Sequence, residues 1–296
     1  MRAGTPLLFH QGGRTEILAP IFAAFSAGIG CGIEAVSGET LRREQDRVAW
    51  DRRVFFREGY GFGICGMQAM FGPGSNPEAR NRGDAGYRIM HYTGYGFWNG
   101  FAATLGLRRV AEDAAAWTDV PDHTRFRPFI AGGRSFALIA RTKTVTPALL
   151  AGFEREATPV LTEAAWHGCG RGIWFRAAAD PAALVDYLSL YPPAAKAMAL
   201  GLGVAMTFTQ IANPALVLRT IEAMPDRFHE DLQIGSGVAL ATMIHEDRQE
   251  ESRVRALYTG TLGSRRDDVL AAVEHFDDDA RWYSVLRERL VPAHSH

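Results

Sequence analysis

Residues 57–70 read REGYGFGICGMQAM and residues 91–101 read HYTGYGFWNGF. Each carries a Gly-x-Gly followed by an apolar residue, at Gly59–Gly61 and Gly94–Gly96. The pattern returns at Gly170–Gly172 (GRGIW), Gly201–Gly203 (GLGVA) and Gly235–Gly237 (GSGVA). The intervals between successive pairs are 35, 76, 31 and 34 residues, and near the middle of the long one stands Gly132–Gly133, followed by Arg-Ser-Phe. About six units therefore fit, one of them degenerate. Glycine inside a helix costs about 1 kcal/mol relative to alanine, a cost tolerated where backbones must approach closely. A period of about 34 residues is that of a helix–turn–helix repeat. The expected fold is all-α: repeated helical hairpins, tetratricopeptide-like or α/α-toroid-like, with the glycine pair on the first helix of each unit. Chance spacing is the competing possibility in a chain with 31 glycines, and the regular interval weighs against it.

Working outward, residues 147–166, 181–190, 194–211, 229–245 and 264–275 place apolar residues at helical intervals. Thr146–Pro147 and Asp180–Pro181 read as helix starts, a capping side chain before a proline at the first helical position. Strand signals are scarce; the best, RSFALIAR at 134–141, also fits a helix. Turn residues crowd 71–86 and 118–128, which read as loops. No long linker interrupts the 296 residues, so a single domain is expected, with a soft division near residue 145 into two similar halves.

Composition narrows the function. Hydrophobic residues make up 47%, enough for a large core, and a net charge of -1 lacks the basic surplus of a nucleic-acid binder. Of the basic residues only Lys143 and Lys196 are lysines, a bias that reads as a GC-rich genome. Cys31, Cys65 and Cys169 form neither a disulfide framework nor a zinc spacing, and point to a reducing cytoplasm. The apolar stretch Ile17–Ile33 falls short of the roughly 20 residues of a membrane span. It reads as a buried first helix in preference to a signal peptide.

Several chemistries lack their motifs. GxxxxGK[ST], GxSxG and HExxH do not occur, and no strand precedes GYGFGICG to make it a dinucleotide loop. No cofactor is indicated. His245-Glu246-Asp247 reads as a solvated helix end. Asp277–Asp279 is similar to an aspartate-rich magnesium motif but lacks its second carboxylate pair, so a helix cap is the better reading. No metal site is expected.

Four segments carry a resemblance: 57–70, 91–101, GCGRGIWFRAAADPAALVDYLSLYP (168–192) and MALGLGVAMTF (198–208). In this order and spacing the chain resembles a family of unknown-function proteins that accompany enediyne polyketide synthases in actinobacterial gene clusters. The resemblance implies natural-product biosynthesis, acting on a long, conjugated, hydrophobic intermediate. It also implies an acidic residue before the glycine in the first two motifs, where this chain has Cys65 and Asn99.

The aromatics beside the glycines, Tyr95, Phe97, Trp98, Phe62, Trp174, Phe175 and Phe208, would line a shared cavity or form an ordinary repeat core. Aromatic walls suit a polyene and can stabilise a developing cation. Candidate acid–base groups are Glu58, His91, Asn99 and His167, with both histidines placed a few residues before a glycine motif. Arg57 and Arg171 would anchor an anionic head or a carrier-bound end. The reading that follows is a protein that binds a polyene polyketide intermediate in an aromatic-lined helical cavity, and cyclises or isomerises it. The alternatives are a non-catalytic repeat that docks a polyketide synthase or carrier protein, and an isoprenoid (terpene) cyclase lacking the metal motif.

Overall fold

A computed structural model describes residues 15–36, 38–71, 88–107, 126–156, 158–177 and 180–273. Their α-helices are α1 (Thr15–Ile33), α2 (Gly38–Asp46), α3 (Arg53–Phe71), α4 (Arg88–Thr104), α5 (Arg127–Arg141), α6 (Pro147–Ala151), α7 (Pro159–Ala177), α8 (Pro181–Ser189), α9 (Ala195–Gln210), α10 (Pro214–Glu222), α11 (His229–Glu246), α12 (Glu251–Leu257) and α13 (Gly260–Val273). The described residues contain no strand. RSFALIAR lies in α5, and 147–166 divides between α6 and α7 around a 3-10 turn, Gly152–Arg155. Most of the two expected loops, and Asp277–Asp279, lie outside the described residues.

The caps fall where the sequence places them. Thr146 accepts from Leu149 N at 3.2 Å and Asp180 from Ala182 N at 3.1 Å, each followed by proline at the first helical position. Arg176 of α7 donates to the carbonyls of Ile139, Thr142 and Lys143, satisfying the C-terminal end of α5.

The long helices α1, α3, α4, α5, α7, α9, α11 and α13 pack side by side in that order. From α1 to α7 the glycine contacts recur along each pair in one register, so those helices run parallel. Their mating surface explains the glycine pairs. At 3.6 residues per turn, positions two apart face nearly opposite sides of a helix. A side chain at the first glycine of a pair would strike the preceding helix, and one at the second would strike the following helix. A Cβ on Gly59 would lie 2.0 Å from Phe25 O, and one on Gly61 2.0 Å from His91 O. Gly94 and Gly96 repeat this against Glu58 O and Ile130 O, both at 2.0 Å, and Gly201 and Gly203 against His167 O and Leu232 O at 1.8 and 2.4 Å.

This packing corrects the register of two units. In α7 the functional pair is Gly168–Gly170, 2.0 Å from Gly132 O and 1.8 Å from Met198 O, while Gly172 turns back onto Ile139 of α5. In α5 the unit is Gly133-Arg134-Ser135: Gly133 meets Thr93 O at 2.1 Å, and the Ser135 hydroxyl sits where a Cβ on Gly168 would come within 2.2 Å. First positions at 59, 94, 133, 168, 201 and 235 are then separated by 35, 39, 35, 33 and 34 residues, with no gap left over. Val145 lies between α5 and α6, and α5 and α7 pack across it through Gly132 and Gly168.

The array also coils upon itself. Phe22 of α1 meets Phe175 of α7 at 6.3 Å between ring centroids, and Phe55 of α3 meets Phe208 of α9 at 6.5 Å. Glu246, ending α11, accepts from Ile89 N (2.7 Å) and Met90 N (3.2 Å) at the start of α4. Each contact joins long helices four places apart, so about four make one turn of the superhelix. Arg53 adds ion pairs to Asp247 and Glu250, both at 3.5 Å. The segment 245–247 is therefore not a solvated end: Glu246 and Asp247 are buried and fasten one turn to the other. Among the described residues no helix is long and apolar enough to cross a membrane.

Candidate functional site

With the register fixed, the residue three places after each first position is Phe62, Phe97, Phe136, Arg171, Val204 and Val238 in turn. The first three form a chain of rings on the inner face of the coil. Phe62 meets Phe97 at 5.6 Å, Phe97 stacks on Phe136 at 4.8 Å, and Phe136 meets Phe175 at 5.2 Å. Phe25 of α1 closes the group, 5.7 Å from Phe62 and 5.3 Å from Phe97. Aromatic pairs in these geometries contribute about 0.5–1.5 kcal/mol each beyond area burial.

Arg171 occupies the next slot of that ladder. Its guanidinium lies 5.0 Å from the centroid of the Phe136 ring, a cation–π contact. Glu58, one residue before Gly59 and on the same inner face, lies within electrostatic reach of Arg171 and is only 2% exposed. Burial pushes the Glu58 carboxyl up to about 7, against the opposing pull of the Arg171 charge. Its Oε1 accepts no hydrogen bond among the described residues. His167 precedes Arg171 by one helical turn. Enclosure of the imidazole, with the Arg171 charge adding to it, holds His167 down to about 3, although part of the residue reaches solvent. At neutral pH the inner face thus holds a neutral imidazole, a guanidinium and a carboxyl poised between its two forms.

The other sequence candidates fall elsewhere. His91 stands three residues before its first glycine, not one, and so faces the connecting segments, between Tyr60 at 5.6 Å and Tyr95 at 4.9 Å. Tyr60 on that side donates to Val36 O at 2.8 Å. The two histidines are thus not equivalent, and they lie on opposite faces of their helices. Trp98 and Trp174 are likewise four and six residues past their first glycines. Trp98 rests over Gly66 between α3 and α4, beside Phe62 and Phe101; Trp174 is fully buried. Arg57 donates from Nε to Gln45 of α2, on a different side of α3 from Glu58. Asn99 is buried, its Oδ1 3.9 Å from Cys65 Sγ. The two positions where the resemblance expects acids are therefore neighbours. Phe208 lies farther along the coil against Phe55.

Sequence reading missed Phe22, Phe25, Phe55 and Phe136 on the inner face. A signal for Phe136 existed, since it repeats the offset of Phe62 and Phe97 once Gly133 is taken as the first position. Among the described residues no group of three or more His, Cys, Asp or Glu side chains could hold a metal ion.

Fold and site together define an all-α protein of glycine-packed helices, wound about an aromatic interior in which a buried carboxyl and an arginine lie within electrostatic reach of each other. The chain belongs to the family described as "Protein of unknown function (DUF1702)", which matches residues 10–261. No curated protein and no solved structure matches it.

Proposed function

We propose that this protein binds a long, unsaturated hydrophobic intermediate of bacterial natural-product biosynthesis, a polyene polyketide of the enediyne type, along its inner face. Glu58 then moves a proton during cyclisation or isomerisation of that chain. The observation that carries this reading is the Glu58 carboxyl, buried within electrostatic reach of Arg171, with an oxygen that accepts no hydrogen bond within the described residues and a pKa raised to about 7. Burying such a group is expensive, and perturbed carboxyls of this kind concentrate at functional sites. The buried ladder from Phe62 to Phe175 makes the interior of the coil aromatic, an environment that suits a conjugated hydrophobic chain. The enediyne context comes from the resemblance that these motifs carry.

Native mass spectrometry of the protein purified from a producing strain tests the reading. Wild type is expected to carry a hydrophobic small molecule, and Glu58→Gln to abolish product formation in the producer. Normal product in the Glu58→Gln strain would remove Glu58 from the chemistry.

A further inference from the structure

The placing of Glu58 and Arg171 narrows the substrate further, an inference that rests on the reading just given. Glu58 is supplied by α3 and Arg171 by α7, helices that are not neighbours in the array, and the coiling brings the two groups within electrostatic reach of each other. The guanidinium is fixed over the Phe136 ring at 5.0 Å, and Arg171 is itself 9% exposed. Oε1 of Glu58, on a side chain 2% exposed, is left without a hydrogen bond among the described residues.

A carboxyl so placed is a poor acid and a moderate base. An isolated alkene is far too weak a base to be protonated by it, which weighs against cyclisation started by alkene protonation. An allylic C–H without further activation is far too weak an acid to give it a proton. A carbonyl one carbon from the double bond changes the second limit. Loss of the intervening proton then gives a dienolate whose charge collects on the carbonyl oxygen, and a fixed guanidinium beside it stabilises that charge.

We infer that the protein catalyses a double-bond shift in a long unsaturated chain ending in a ketone or thioester carbonyl, with Glu58 as the proton carrier and Arg171 as the oxyanion partner. The Glu58 carboxylate takes a proton from the carbon between the alkene and the carbonyl. The electrons of that C–H bond form the dienolate, whose oxygen Arg171 hydrogen-bonds. The Glu58 carboxylic acid then returns a proton to the far alkene carbon, and the double bond comes into conjugation. Atoms and electrons balance without an oxidant, a reductant or a second substrate. Phe97 and Phe136, buried and stacked at 4.8 Å, form an apolar aromatic wall behind the Arg171 guanidinium.

The test separates binding from chemistry. Binding is read from the fluorescence of a long-chain conjugated tetraenoic acid titrated with protein. Chemistry is read from a long-chain β,γ-unsaturated ketone incubated in deuterium oxide, by ultraviolet absorbance of the conjugated product and by mass. Wild type is expected to bind the tetraene and to convert the ketone with deuterium uptake. Glu58→Gln should retain tetraene binding and lose conversion on the order of 10²-fold or more; Arg171→Met should likewise lose conversion. In wild type the rate should rise with pH through about 7, a readout that holds even if the Glu58→Gln protein does not fold. Tetraene binding without conversion in wild type, a rate flat across neutral pH, or undiminished conversion by a folded Glu58→Gln protein overturns the inference while leaving the binding reading intact. Failure of wild type to bind either probe overturns that reading itself.

Discussion

Two glycine-to-alanine substitutions should shift stability in opposite directions. Both remove a helical glycine, so both gain up to about 1 kcal/mol of helix propensity. At Gly30 the added methyl meets nothing within 4 Å, and that gain should appear nearly whole. At Gly170 the same methyl lands 1.8 Å from Met198 O, a backbone atom that no rotamer change can move. Real Cβ atoms essentially never approach below 3.0 Å, so α7 and α9 would have to part by about 1.2 Å at that point. Overpacking of this kind costs about 1–3 kcal/mol and sometimes more. The strain here also falls one residue from Arg171 and on a contact that positions the inner face. We expect Gly170→Ala to destabilise by about 2 kcal/mol or more net, and Gly30→Ala to stabilise by about 0.5–1 kcal/mol. Urea unfolding followed by circular dichroism, with unchanged m-values as the check on comparability, measures both. Equal effects at the two sites, or a stabilised Gly170→Ala protein, would refute the account of the glycine pairs as sites of helix–helix contact.

Three further outcomes follow from the same contacts. Glu246→Ala strands the buried amides of Ile89 and Met90 and should cost about 2 kcal/mol or more by urea unfolding, with Glu246→Gln recovering part of it. Glu58 has its folded acidity raised from 4.5 to about 7, so the stability it allows is fully present below 4.5 and is lost as pH rises through 7; Glu58→Gln should therefore gain on wild type between pH 5 and 8. His167 has the opposite sense, its folded value lowered from 6.5 to about 3. Its contribution is present above 6.5 and lost as pH falls through 3, and His167→Gln should flatten the acid side of the stability profile.

The helical class and the repeat were legible because a residue that weakens helices recurs at a helical-hairpin interval, and close helix contact is what repays that cost. Thr146 and Asp180 were legible as caps because capping is local. Register was not. GCGRG holds three glycines at alternate positions, 168, 170 and 172, and any two of them satisfy the pattern. Only the neighbouring helices decide, since Gly168 and Gly172 both face α5 while Gly170 faces α9. A two-residue error turns a helix by more than half a revolution, which is why the motifs alone align His91 with His167 and Trp98 with Trp174. Glu58, His167 and Arg171 were each visible as titratable residues beside a motif. That Glu58 and Arg171 come within electrostatic reach was not, because it depends on how the array coils. The burial of Glu246 and Asp247 was hidden for the same reason: a charged helix end reads as solvated until another turn of the chain lies over it.

That coiling bears on how the protein can vary in length. In an open solenoid each repeat touches only its neighbours, so units are gained or lost singly and stability scales with their number. Here α1 rests on α7, α3 on α9 and α4 on α11, each four long helices ahead. Inserting or deleting one hairpin would move every later helix to a new partner across the coil, parting Glu246 from α4 and Glu58 from Arg171 together. The number of units between those partners is therefore bound to the chemistry, and the chain should unfold as one cooperative block, not fray from an end.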